Sequence, residues 1–221
     1  MFRASVVAFV ASVLVYGTAM ACPGQVGKVI FEDNFLDDSG GWLLGPPDVE
    51  IKDGALLLRP NTGGVDEQVP AVKSTVLTFS ATAGDYCAEF ILPKQVQPDI
   101  EVNFGLMFFY RDEFNFYVLV AGTNGGIALI KKSRAKVWDH IFDIPSDPSR
   151  QDQAKLKLEE NAVNSFRVLA KEGKLTVFLN GQQLRAIPEG ELQFGVRSEV
   201  TKASDTNPTV RVKSFKVTTG R

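Results

Sequence analysis

The chain has 221 residues, with 24 lysine or arginine against 26 aspartate or glutamate side chains, a formal net charge of −2 and a single histidine. Interspersed charges of nearly balanced sign exclude the electrostatic footprint of a nucleic-acid-binding protein or of one held on an anionic membrane. One histidine and two cysteines exclude the usual zinc ligand sets, while 16 phenylalanines supply the large apolar side chains of one sizeable core.

Residues 1–21 read as a secretory signal peptide: Arg3, an apolar run from Ala4 to Tyr16, then the small-residue site Ala19-Met20-Ala21. The run is short for a bilayer, and no later segment approaches the roughly 20 apolar residues of a spanning helix. The expectation is a periplasmic or secreted monomer with a single domain over residues 22–221 and no transmembrane segment. Cys22 would begin the mature chain, and two fates are open to it. It can pair with Cys87, the only other cysteine, in an oxidising compartment, or it can carry a lipid. Ala19 stands where a lipoprotein signal has a large aliphatic residue, which favours the disulfide.

From Lys28 onward turn signals recur every ten residues or so, and no window of helical length keeps an apolar stripe at 3.6 spacing. That cadence predicts an all-β sandwich. Val29 to Phe35 forms a first strand, ended by Asp37-Asp38-Ser39-Gly40-Gly41, with a short piece at Trp42 to Leu44 before Pro46-Pro47. Val49 to Ile51 and Ala55 to Leu58 flank the hairpin turn Asp53-Gly54. The Gly-, Pro- and Asn-containing segment Arg59 to Val72 reads as a rim loop. Strands resume at Ser74 to Phe79 and Asp85 to Leu92.

The most apolar region follows: Ile100 to Tyr110, a turn at Arg111-Asp112-Glu113, Phe114 to Ala121, a turn at Gly122 to Gly126, then Ile127 to Lys132 and Lys136 to Ile141. Residues 144–162 are polar, with a short helix or an extended piece over 153–160. Asn164 to Ala170 and Lys174 to Leu179 alternate cleanly, joined by Glu172-Gly173 and followed by Asn180-Gly181, the dipeptides of tight hairpins. Glu191 to Arg197 and Thr209 to Thr218 close the fold, the last with a one-residue irregularity between Val212 and Phe215.

The run from Asn164 to Gly181, of the form N-x-F-x-V-x-A-x-x-G-x-L-x-V-x-L-N-G, resembles the concanavalin A-like jelly-roll superfamily, its laminin-G-like modules and the bacterial domain named for 3-keto-disaccharide hydrolases. Phe31-Glu32-Asp33-Asn34-Phe35, Gly41-Trp42 and the Asp53-Gly54 turn are similar to the opening of the last group, and Phe104 to Val120 to its core strands. The resemblance implies a concanavalin A-like jelly-roll sandwich of two antiparallel sheets whose concave face often receives sugar. The fold hosts enzymes, lectins and scaffolds alike.

Alternation about a turn at Arg111-Asp112-Glu113 places Phe104, Leu106, Phe108 and Tyr110 on the core side with Phe114, Phe116, Val118 and Val120. The other face then carries Met107, Phe109, Arg111, Asn115, Tyr117 and Leu119. Met107, Phe109, Arg111, Asn115, Tyr117 and Lys132 are the candidate ligand-binding set. Aromatic rings stack on the C–H faces of sugars while Arg, Asn and Lys satisfy the hydroxyls. The competing reading covers this face with Pro46-Pro47 or with the 59–72 segment.

Catalytic chemistry finds less support. Laminarinase-type members of the superfamily carry a Glu-x-Asp-x-x-Glu triplet, which does not occur here. Asp99 and Glu101 alternate with Asn103, and Asp112 adjoins Glu113, but a strand end and a turn account for both. Asp139 beside His140 faces the opposite way on a strand, leaving His140 an ordinary surface residue. Asp33, Asp37 and Asp38 with the carbonyls near Gly40 offer oxygen ligands for a structural calcium, and Trp42 is a core plug. The leading expectation is a non-catalytic exported module that binds carbohydrate or another cell-surface ligand. A hydrolase or lyase of the 3-keto-disaccharide type and a structural protein-interaction domain are the alternatives.

Overall fold

The structure, a computed structural model, describes residues 22–60, 71–76, 84–92, 101–112, 114–133, 138–145, 156–172, 174–188, 195–200 and 209–220. Among these residues every regular element is a strand. In chain order they are β1 (Val29–Asp33), β2 (Val49–Lys52), β3 (Ala55–Leu58), β4 (Ala71–Val76), β5 (Gly84–Ile91), β6 (Val102–Asp112) and β7 (Asn115–Gly122), then β8 (Ile127–Ser133), β9 (Trp138–Ile144), β10 (Val163–Lys171), β11 (Lys174–Leu179), β12 (Gln182–Pro188), β13 (Gly195–Val200) and β14 (Val210–Thr218). An eight-stranded sheet runs β12-β11-β10-β5-β14-β3-β2, with β1 also paired to β14, and a six-stranded sheet runs β4-β13-β6-β7-β8-β9. Every ladder is antiparallel.

The turn dipeptides act as their chemistry requires. Asp53 and Gly54 take φ values of 52° and 67°, Asn180 and Gly181 values of 50° and 81°, the paired positive φ of a two-residue hairpin loop. The sheets close on one core. Phe90 and Phe166 of the eight-stranded sheet meet Phe104 of the six-stranded sheet with ring centroids 5.0 to 5.8 Å apart. Trp42 is buried between Phe35 and Phe215, at 5.7 and 5.2 Å, as a plug at one end. The irregularity expected in the last strand is a bulge between Val212 and Ser214, which returns Phe215 and Val217 to the core.

Several boundaries differ from the sequence reading. The rim-loop expectation over Arg59 to Val72 overlaps β4, which begins at Ala71, and its residues 61–70 lie outside the described residues. β12 was not foreseen as a separate strand; it pairs with β11 across the Asn180-Gly181 turn. Of the 153–160 segment, the described part from Leu156 onward is not helical. The largest correction concerns β6 and β7. β6 continues through Asp112, which pairs with Asn115, so the turn lies between those two residues instead of at Arg111-Asp112-Glu113. The ladder pairs Phe108 with Tyr117 and then jumps to Asp112 with Asn115, four residues of β6 against two of β7.

The two-residue turn leaves Phe108 opposite Tyr117, one residue from the expected register, and a one-residue change of register exchanges the two faces of a strand, so the facing of β7 is the inverse of that expected. Phe104, Leu106 and Phe108 do point into the core, but they stand opposite Ala121, Leu119 and Tyr117. Tyr117 stacks on Phe108 at 5.6 Å with rings 15° apart and packs against the core. Phe116 and Val118, assigned to the core side, instead join Met107 in a separate apolar cluster on the outer face, with Tyr110, Val120 and Ile130 packed around it.

Candidate functional site

A cleft of about 280 Å³ opens on the outer face of the six-stranded sheet. Its floor is an apolar strip from neighbouring strands: Val118 and Val120 of β7 stand beside Ile130 and Ala128 of β8. The strip runs on into Met107 and Phe116, which are 1 % and 4 % exposed. On β6, Gly105 belongs to the same layer. A Cβ there would collide with the carbonyl oxygen of Leu119, so glycine permits a close approach of the β6 and β7 backbones.

Two groups of polar side chains border this floor. At one end Glu101, Asn103 and Asn124 gather around Gly122. The loop of residues 122–126 is held by Gly122 N–H donating to the Gly126 carbonyl at 2.9 Å and by Gly126 N–H donating to Asn124 Oδ1 at 2.7 Å. At the other side His140 and Asp143 line the cleft. The His140 Nδ1 lies 2.8 and 3.0 Å from the two Asp143 oxygens. A carboxylate only accepts, so Nδ1 donates.

The His140–Asp143 pair depends on a β-bulge. Leu129 pairs with Phe142 and Ile130 with His140, leaving Ile141 extra in β9. The extra residue brings His140 and Asp143 to one face, three positions apart, where a regular strand would oppose them. Asp139, the carboxylate adjacent in sequence, is engaged elsewhere by the Ser133 hydroxyl at 3.1 Å.

The structure does not assemble the candidate ligand set on one surface. Met107 and Lys132 lie on the outer face, but Met107 is buried, and the Lys132 ammonium rests 5.5 and 5.7 Å from the Phe114 and Phe116 rings. Tyr117 is on the inner face, with the Lys131 ammonium 5.6 Å from its ring. Asn115 sits in the exposed hairpin turn, where its Nδ2 donates to both Asp112 oxygens at 2.8 and 2.9 Å. The side chains of Phe109 and Arg111, and residues Asp99 and Glu113 entirely, lie outside what the structure describes.

The acidic loop after β1 is occupied by turn hydrogen bonds. Asp33 accepts from Phe35 N–H at 2.7 Å and from the Trp42 indole at 2.9 Å. Asp37 accepts from Ser39 N–H at 2.9 Å, and its hydrogen bonds to Ser39 hold its carboxyl below the ordinary value. Among the described residues no group of three or more His, Cys, Asp or Glu is placed to hold a metal ion. The expected disulfide is present: Cys22 and Cys87 are joined, with Cα atoms 6.2 Å apart and both residues buried.

No protein-family model matches the sequence, and no curated protein sequence matches it. Solved structures do match the fold. The catalytic domain of an endo-1,3-beta-glucanase (laminarinase) from Thermotoga petrophila has a TM-score of 0.58 and 11% identity over 87% of this chain and 98% of its own. The kappa-carrageenase of Pseudoalteromonas carrageenovora, in complex with a kappa-carrageenan oligosaccharide, has a TM-score of 0.54 at 11% identity over 91% and 98%. Carbohydrate-binding module CBM66 of Bacillus subtilis has a TM-score of 0.50 at 11% identity over 88% and 98%. The chain thus has a concanavalin A-like jelly-roll sandwich fold of two antiparallel sheets.

Proposed function

We propose that this protein is an exported carbohydrate-binding module whose glycan lies in the cleft over Val118, Val120, Ala128 and Ile130. The observation that carries the reading is the make-up of the cleft: an apolar floor bordered by convergent polar side chains from β6, β9 and the 122–126 loop. A sugar ring has an apolar C–H face and a rim of hydroxyls, and such a site matches both. The structural neighbours, two glycan-degrading enzymes and one binding module, support the same ligand class. The disulfide agrees with export to an oxidising compartment, and a signal peptide over residues 1–21 would direct it there. Met107 and Phe116 continue the floor along the same face, and Lys132 stands toward its far end.

A second reading has one observation in its favour. Glu101 and the His140–Asp143 pair line the same cleft, so groups able to exchange protons face a common space. A hydrolase or lyase acting on a keto-sugar would use them.

Glycan-array binding of the purified protein tests both readings against two variants. Ala128→Trp fills the cleft and is expected to abolish binding while leaving the melting temperature nearly unchanged. Tyr117→Ala removes an inward ring and is expected to cost about 2–4 kcal/mol in urea unfolding with affinity unaltered. Binding that survives Ala128→Trp but is lost in Tyr117→Ala would place the site elsewhere. Reducing-end release from bound glycans, absent in His140→Ala, would establish the enzymatic reading.

A further inference from the structure

Resting on the reading that the cleft receives a glycan, we infer that it selects sugars presenting hydrogen-bond donors and no anionic group. Neutral or aminated glycans fit it; sulfated and carboxylated ones are rejected. The selectivity arises around Gly122. The position that a Cβ would take on this residue lies 2.6 Å from Asn103 Oδ1, 2.7 Å from Glu101 Oε1 and 2.8 Å from Asn124 Oδ1. Three acceptor oxygens from β6, the residue before it and the 122–126 loop therefore converge where the backbone has no side chain. Asn124 is oriented by the Gly126 N–H it accepts, and that oxygen keeps a second lone pair directed outward.

These oxygens are open to solvent in the free cleft, so a ligand that displaces water from them must return donors. No lysine or arginine is among the described lining residues, whereas two carboxylates, Glu101 and Asp143, are; the side-chain donors there are the amide N–H groups of Asn103 and Asn124 and the His140 ring. Lys132 lies toward the other end of the strip, over Phe114 and Phe116. Asp143 holds His140 through Nδ1. Vicinal hydroxyls, or an amino group in place of one, supply donors to the three oxygens. A sulfate or carboxylate brought beside Glu101 meets a like charge with no counter-charge, a repulsion that forfeits roughly a hundredfold or more in affinity. This chain thereby differs from the fold neighbour solved with a kappa-carrageenan oligosaccharide.

The test is calorimetric titration and array binding of the full protein with four glycan series, neutral β-glucans, chitosan oligosaccharides, kappa-carrageenan oligosaccharides and oligouronates, each with and without EDTA. Binding is expected for the first two series and unaffected by EDTA. Glu101→Gln, which keeps the shape and removes the charge, is expected to weaken binding about tenfold and to narrow the gap to the anionic series. Gly122→Ala, which puts a methyl among the three oxygens, is expected to abolish binding. Unchanged melting temperatures certify that both variants fold, and Glu101→Gln stands alone if Gly122→Ala does not. Preferential binding of the anionic series, lost in Gly122→Ala, would overturn the selectivity while leaving the cleft a glycan site. Binding abolished by EDTA would assign the oxygens to a divalent cation and overturn it too. Binding of no series would remove the carbohydrate reading itself and this inference with it.

Discussion

On the outer face of the eight-stranded sheet the polar side chains are sealed beneath the N-terminal segment, whereas on the outer face of the six-stranded sheet they stand open around an apolar floor. The sealed side centres on Asp85 and Arg167, both buried. Arg167 Nε and Nη2 donate to the two Asp85 oxygens at 2.6 and 2.7 Å, while the guanidinium lies 4.6 Å from the Phe178 ring. Cys22 is tied to Cys87, Arg167 Nη1 donates to the Pro23 carbonyl, Gln25 Nε2 donates to the carbonyls of Asp85 and Lys216, and the Thr218 hydroxyl donates to the Val26 carbonyl. The cleft side also carries a carboxylate near its strand end, Glu101, but no lysine or arginine lines that cleft among the described residues. A carboxylate fixed by a guanidinium and closed off from water fastens the fold; one left in an open cleft without such a cation is available to a ligand.

If that division holds, damage to the sealed face lowers stability and leaves glycan affinity alone. Arg167→Ala is the severest case, because it strands a buried carboxylate. The expected loss is about 3–5 kcal/mol in urea unfolding. Burial pushes the Asp85 carboxyl above its ordinary value, and the hydrogen bonds and charge of Arg167 offset this only in part. Its favourable contribution is therefore complete below the unfolded-state value and is lost as pH rises through the higher folded value. Without Arg167 the folded value rises further, so the deficit of the variant should grow from acid to neutral pH. A deficit that shrinks over that interval would contradict the role of the Arg167 hydrogen bonds and charge in lowering the Asp85 value.

Cys87→Ser comes next, at about 2–5 kcal/mol, and a thiol reductant applied to the wild type should reproduce it. Intact mass should show two fewer hydrogens than in the reduced protein and no acyl group, since the bridge occupies the Cys22 thiol. An unchanged cleft affinity in the reduced protein would sharpen the contrast between the faces; a parallel loss would show that the N-terminal strap also shapes the cleft.

Glu89→Gln should have the smallest effect. Burial raises the Glu89 carboxyl, opposed by the Ser214 hydroxyl at 3.1 Å and by Lys213 and Lys157. Its stability contribution likewise fades as pH rises through the folded value, so wild type should lose ground to the variant between pH 4 and 7, by less than about 1 kcal/mol. Equal pH profiles for the two proteins would count against a raised carboxyl.

The sandwich was legible in the chain because its determinants are local. Asp53-Gly54 and Asn180-Gly181 supply positive φ within two residues, and the alternation of Phe166, Val168 and Ala170 needs only its own strand. The Cys22–Cys87 bridge followed from there being two cysteines. The site was not legible, because each of its parts depends on how neighbouring strands fall into register. The turn between Asp112 and Asn115 and the register pairing Phe108 with Tyr117 placed Tyr117 inward and Val118 outward, and the bulge at Ile141 set His140 beside Asp143 instead of Asp139. Glu101, Asn103 and Asn124 meet at Gly122 only because β6 and β7 lie side by side, bringing together residues some twenty positions apart. Alternation determines two faces for any one strand; which face meets the core, and which distant oxygens share a point in space, is decided by the packing that makes one register lower in free energy than its neighbour.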